Sequence, residues 1–139
     1  MNQKKLVLGL AAGLLILAVA VAAGYATLPQ PPGQIELSPG EFDFGAVLNT
    51  SPVSQTFQLR NAGDGPLQIS GVSTSCGCTT AEVANRVLAP GETTDLTVTY
   101  DPLAHGGATG EFMRVVYVRS DDPDTPEATL TIRVTVVEP

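Results

Sequence analysis

Apolar and polar residues alternate along most of the chain beyond Gln34. Leu130, Ile132, Val134 and Val136 are interleaved with Thr131, Arg133 and Thr135, the period of two expected of a strand with one buried face. Leu96, Val98 and Tyr100 alternate with Asp95, Thr97 and Thr99, and Val53, Gln55, Phe57 and Leu59 with Ser54, Thr56, Gln58 and Arg60. Leu67 and Ile69 open a further strand, and Phe42 and Phe44 mark one near the start of this region. Phe112 to Val118 is apolar on both parities around Arg114, which predicts a central strand of its sheet. Turn chemistry separates these runs at Asn61-Ala62-Gly63-Asp64-Gly65-Pro66, Ala89-Pro90-Gly91-Glu92 and Asp121-Asp122-Pro123. With no amphipathic helix among them, the runs predict an all-β fold, an antiparallel sandwich of about seven strands.

The first residues follow another pattern. Leu6 to Leu28 is an uncharged stretch behind Lys4 and Lys5, and as a helix it spans about 34 Å, enough to cross the hydrocarbon core of a bilayer. Residues 1–28 are therefore expected to be one N-terminal transmembrane or signal helix. The lysines orient it with its N-terminus in the cytoplasm and everything after Leu28 outside. A retained anchor is the preferred reading, because the run is longer than the apolar part of a signal peptide. Cleavage after Ala20-Val21-Ala22 or Gly24-Tyr25-Ala26 is the alternative, giving a secreted or periplasmic protein. Pro29 to Gln34 follows as a Pro-rich spacer, extended because proline fixes φ, and residues 35–139 make up the folded domain.

Charge narrows the partners. Beyond the apolar run stand Arg60, Arg86, Arg114, Arg119 and Arg133 against all fourteen acidic residues, a net of −9. Nucleic acid and anionic lipid are disfavoured by such a surface, since phosphate binding depends on cationic neutralisation. Contact with the membrane is expected through the N-terminal helix alone. Asp121, Asp122, Asp124 and Glu127 cluster around two prolines; without EF-hand spacing they read as a solvated turn before a Ca²⁺ loop.

The candidate chemistry lies in Thr74-Ser75-Cys76-Gly77-Cys78-Thr79-Thr80, which holds the two cysteines of the chain. In a regular strand their Cβ atoms would be roughly 6.5 Å apart, too far for a disulfide. A turn at Gly77 would bring the sulfurs together. Three readings stay open: a structural pair, a redox-active dithiol, and a soft-metal site, since thiolates suit Cu(I) or Zn. The metal reading needs further ligands, and His105 and Met113 are the candidates. Four-ligand zinc spacing is absent. No cofactor is expected under the first two readings; under the third it is copper. A hydrolase is disfavoured by the single histidine and the lack of a Gly-x-Ser-x-Gly elbow, and a nucleotide site by the lack of a glycine-rich loop opening a helix.

Several pieces in order carry a resemblance: Phe42-Asp43-Phe44-Gly45, Arg60-Asn61-Ala62-Gly63-Asp64-Gly65-Pro66-Leu67, Ser75-Cys76-Gly77-Cys78-Thr79, Leu88-Ala89-Pro90-Gly91-Glu92 and Val98-Thr99-Tyr100-Asp101-Pro102. Together they resemble the bacterial DUF1573 family, whose domain is similar to the immunoglobulin-like modules called ASH or MSP-like. The resemblance implies an immunoglobulin-like sandwich and export; the biochemical activity of the family is uncharacterised, and related modules are binding and scaffolding parts rather than enzymes. The expected function is a membrane-tethered extracytoplasmic module that binds an envelope protein or peptide. The alternative is an extracytoplasmic thiol-redox or Cu(I)-handling protein using Cys76 and Cys78.

Overall fold

The alternation near the C-terminus becomes a strand in which Leu130, Ile132, Val134 and Val136 are buried and Glu127 and Arg133 face solvent. The computed structural model of the protein describes residues 29–139, so the helix expected over residues 1–28 lies outside the described residues. Among the described residues there are nine strands: β1 (Ile35–Ser38), β2 (Glu41–Leu48), β3 (Val53–Asn61), β4 (Leu67–Thr74), β5 (Thr79–Val83), β6 (Val87–Leu88), β7 (Thr93–Tyr100), β8 (Gly110–Ser120) and β9 (Glu127–Val137). One short 3-10 helix follows β7 at Pro102–His105. The strands form a four-stranded sheet in the order β1-β3-β7-β5 and a five-stranded sheet in the order β2-β9-β8-β4-β6. Phe57, Leu59, Leu96, Val98 and Tyr100 from the first sheet meet Leu67, Ile69, Val116, Val118 and the β9 residues from the second in one core. Each large side chain so buried contributes about 1.5–3 kcal/mol.

Two expectations are corrected. The strands number nine, not about seven, because β1, β5 and β6 are only four, five and two residues long, too short for a period of two to emerge. The sandwich is also not wholly antiparallel, since β2 pairs in parallel with β9. A parallel pair needs a long crossover, and nearly the whole domain lies between these two strands. β8 lies inside its sheet, between β9 and β4, as its apolar residues on both parities predict.

Asn61 continues the inward parity of Phe57 and Leu59 and is fully buried. Its Oδ1 accepts from the Gln34 and Gly63 N–H groups at 3.0 Å each, and its Nδ2 donates to the carbonyls of Gly65 at 2.8 Å and Leu88 at 3.0 Å. Its backbone N–H and carbonyl bond Glu92 and Gly91, both at 2.9 Å. Pro31 to Gln34, expected as spacer, is therefore held against the Asn61–Pro66 loop, and the folded body begins at Pro31. Gly63 and Gly65 do not have the positive φ expected of turn glycines. They are needed for space: a Cβ on Gly63 would lie 2.6 Å from the Pro32 carbonyl oxygen, and one on Gly65 would overlap the Pro31 carbonyl. Gly91, with φ 77°, is the glycine whose backbone freedom its turn requires.

Asp122 corrects the solvated-turn reading of the acidic cluster. It is only 3% exposed. Its Oδ2 accepts from Ile35 N–H at 2.8 Å, and its Oδ1 from Asp124 N–H at 2.9 Å and Thr125 N–H at 3.1 Å. Burial alone would raise its pKa, but the three N–H donors outweigh burial and hold it below the ordinary 3.8. A carboxyl with a depressed folded pKa stabilises the domain fully above its unfolded pKa, and that stability is lost as pH falls through the folded value. Asp122→Asn is accordingly expected to cost about 1.5–3 kcal/mol at neutral pH. The gap to wild type, followed by urea denaturation, should close as pH drops below about 4.

Candidate functional site

β4 belongs to the five-stranded sheet and β5 to the four-stranded one, so Ser75-Cys76-Gly77-Cys78 carries the chain across the sandwich. Both sheets clamp this crossover. Ser75 N–H donates to the Val115 carbonyl at 2.9 Å, and Val115 N–H donates to Ser75 Oγ at 3.0 Å, extending the β4–β8 ladder past Thr74. Thr74 Oγ1 lies 3.0 Å from the Cys76 carbonyl and 2.7 Å from the Thr79 carbonyl, bracing the inside of the turn. Thr79 N–H closes the turn on the Cys76 carbonyl at 3.1 Å, and Asp101 N–H holds the Cys78 carbonyl at 2.8 Å.

The turn brings the Cα atoms of Cys76 and Cys78 to 5.3 Å, and the two residues form a disulfide. The pairing that an extended strand forbids is thus made by the turn, although Gly77 is not the reason. Its φ is not positive and a Cβ there would meet nothing within 4 Å, so the glycine is not required for shape. Cys78 is 1% exposed, and Cys76 is half-buried.

Two other segments reach the sulfurs. The 3-10 helix is started by Asp101, whose Oδ1 accepts from Leu103 N–H at 2.9 Å, and stopped by Gly106 with φ 68°. His105 at its end places Nε2 3.0 Å from Cys76 Sγ. Arg114 of β8 directs Nε–H to Cys78 Sγ at 3.0 Å, while its Nη1 donates to the Met113 carbonyl at 2.8 Å and its guanidinium carbon sits 5.2 Å from the Phe112 ring centroid. Cys78 N–H adds a contact to Cys76 Sγ at 3.2 Å. Bonded sulfurs carry no proton, so each contact requires its nitrogen to donate. Three donors, one a permanent cation, therefore converge on the sulfur pair. Burial pushes the neighbouring Tyr100 hydroxyl above its ordinary 10.0, with the Arg114 charge opposing and Asp101 adding to the rise, which keeps the ring neutral.

Cys76, Cys78 and His105 offer three ligand atoms within 4.8 Å of one another. With the disulfide reduced they are the residues that could hold a soft metal ion. Met113, the fourth candidate, is 54% exposed and lines a surface depression with Asp43, Glu111 and Arg133. It neighbours Arg114 in the strand, and successive side chains of a strand point to opposite faces, so it does not join the cysteines. Arg114, absent from the expected site, is the residue the sequence reading missed. Its signal was parity: it shares the inward face of β8 with Phe112, Val116 and Val118, where a guanidinium requires a partner.

The family described as "Protein of unknown function (DUF1573)" matches residues 35–136. Among curated proteins none matches the chain in sequence. Among solved structures, a protein of unknown function from Porphyromonas gingivalis W83 is similar at 24% identity and TM-score 0.69, over 80% of this chain and 50% of that one. This chain thus spans half the length of that protein. The human CEP192 ASH / PapD-like domain is similar at 11% identity and TM-score 0.63, over 81% of this chain and 92% of that one. The YadV chaperone is similar at 14% identity and TM-score 0.54, over 73% of this chain and 51% of that one. At such identities the likeness is one of fold, an immunoglobulin-like, PapD-like β domain.

Proposed function

Because the chain belongs to the DUF1573 family over residues 35–136, we propose that its immunoglobulin-like domain is a protein-binding module. Residues 1–28 tether it to the bacterial cytoplasmic membrane with the domain outside. The observation that carries the binding reading is β5, the end strand of its sheet, which among the described residues is paired on one side only. The other sheet ends are less suited to a partner. β2 is interrupted by a bulge between Asp43 and Ala46, where Gly45 has φ 68°, β6 has two residues, and β1 has four. β5 keeps an unbroken register against β7 from Thr79 to Val83 and carries one charge, Glu82. Such an edge can accept an extended peptide as an added strand, with main-chain hydrogen bonds supplying affinity. The fold shared with a chaperone supports the same reading. The tether is supported by the uncharged run behind Lys4 and Lys5.

The test is photo-crosslinking in the full chain in its native envelope, with the reactive side chain at Thr80 or Glu82 and, for comparison, at Asp124 in the distant β8–β9 turn. An envelope protein crosslinked from the β5 positions alone, through residues two apart in its own sequence, is the expected result. Equal capture from Asp124 refutes strand addition. For the tether, the chain should stay with membranes through alkaline carbonate washing; a soluble chain beginning after Ala22 or Ala26 would replace anchoring by secretion.

A further inference from the structure

We infer that the Cys76–Cys78 disulfide is a thiol-exchange centre, in which Cys76 takes the incoming thiolate and Cys78 departs as a thiolate held by Arg114. This rests on the geometry of the crossover and not on the β5 edge, so either can fail alone. The two sulfurs differ in a way that assigns their roles. Cys76 is half-buried and bordered by the exposed His105, whereas Cys78 is sealed in the core. An external thiolate therefore reaches Cys76 Sγ. Attack there forms a bond from the incoming sulfur to Cys76 Sγ and breaks the bond to Cys78 Sγ, which leaves with the electron pair.

A buried thiolate without a partner would be costly. Cys78 has one already in place, the Arg114 Nε–H at 3.0 Å, and a charge-assisted hydrogen bond lowers the thiol pKa and speeds departure. With a dithiol as reductant, its second thiolate attacks its own sulfur in the mixed disulfide. That closes the reductant into a cyclic disulfide and releases Cys76 as thiolate, so two electrons have passed to the pair. The His105 Nε2–H, 3.0 Å from Cys76 Sγ, donates a hydrogen bond to that sulfur as it leaves as a thiolate. In reverse, the reduced pair passes the same two electrons to a disulfide substrate, and its own bond forms again.

The crossover can cycle without unfolding. A disulfide spanning two residues restricts the unfolded chain little. The turn is held independently by hydrogen bonds from Ser75, Thr79 and Asp101 N–H and from Thr74 Oγ1, so the thiols stay adjacent after reduction. Arg114 also weighs against the copper alternative for the same residues. A cation beside Cys78 Sγ favours a bare thiolate and opposes a second positive charge there.

The experiment uses the full chain, with dithiothreitol, glutathione and Cu(I) as probes. Dithiothreitol should reduce the native protein without a change in its circular dichroism. Arg114→Gln should slow that reduction about tenfold and Arg114→Lys should recover part of the rate. In the reduced protein, thiol alkylation should show a thiolate forming below the usual pKa of about 8.5, and Arg114→Gln should move that pH profile upward. Cys78→Ser should take up glutathione from its disulfide at Cys76, while Cys76→Ser should do so about tenfold more slowly, because Cys78 is buried. Unchanged rates and pH profile in Arg114→Gln, or reduction only on unfolding, would overturn the inference. So would a reduced protein that binds Cu(I) stoichiometrically through His105 and fails to exchange with glutathione disulfide.

Discussion

Asn61→Ala is expected to destabilise the domain by about 3–5 kcal/mol, a large share of the 5–15 kcal/mol typical of a folded domain. The loss comes from four backbone groups, two of them in buried and two in part-buried hydrogen bonds. Gln34 and Gly63 N–H lose their acceptor, and the Gly65 and Leu88 carbonyls lose their donor. Each group left unsatisfied in the interior costs about 1–3 kcal/mol, partly relieved where water enters the space vacated. Because Asn61 joins the arm before β1, the 63–65 loop and β6, the loss should lower the midpoint of urea denaturation without splitting the transition. Asn61→Asp separates the two halves of the network. It keeps an acceptor for the N–H pair but sets a carboxylate oxygen against the two carbonyls, so its deficit should be large at neutral pH and shrink as the carboxyl protonates in acid. An exposed-residue effect of under about 0.5 kcal/mol in Asn61→Ala would refute the network's role.

Gly65→Ala is the second large effect, expected at about 2–4 kcal/mol. The added Cβ would overlap the Pro31 carbonyl, a backbone atom in a segment held by the Asn61 network and by the Gly65 N–H bond to the Pro32 carbonyl at 3.2 Å. No side-chain rotation relieves that collision, so the arm from Pro31 to Gln34 must lift. Amide exchange should then accelerate at Gln34 and Gly63, whose N–H groups Asn61 binds, before the rest of the sheet responds. Gly77→Ala serves as the comparison, since a Cβ there meets open space at an ordinary φ, and it should change stability by no more than about 1 kcal/mol in either direction. Equal effects at the two glycines would show that close approach is not what Gly65 provides.

The candidate site was half legible. That Cys76 and Cys78 could pair only in a turn follows from strand geometry, and a turn is what closes them. His105 was in view as a possible ligand, but its position depends on the Asp101-started helix that follows β7. Arg114 stood in plain sight inside an apolar run, and its inward parity was the one signal that it had a buried partner. Met113, one residue away, was grouped with the cysteines although neighbours in a strand face opposite sides. Asn61 and Asp122 were read as turn residues. Each is buried instead, with backbone N–H groups from distant segments as its partners.

By itself the sequence determined the local things: strands with one apolar face, the Gly91 turn, and a cysteine pair excluded from any extended segment. Those follow from side-chain period and backbone preference, which act over a few residues. The tertiary structure alone decided which sheet each strand joins, that β2 runs parallel to β9, and that Gly63 and Gly65 are kept for space. It alone brought His105 and Arg114, 29 and 36 residues along the chain from Cys76 and Cys78, onto the sulfurs. The physical reason is that period and turn chemistry specify which face of a strand is buried, whereas its neighbours are selected by how the whole set of faces packs into one core.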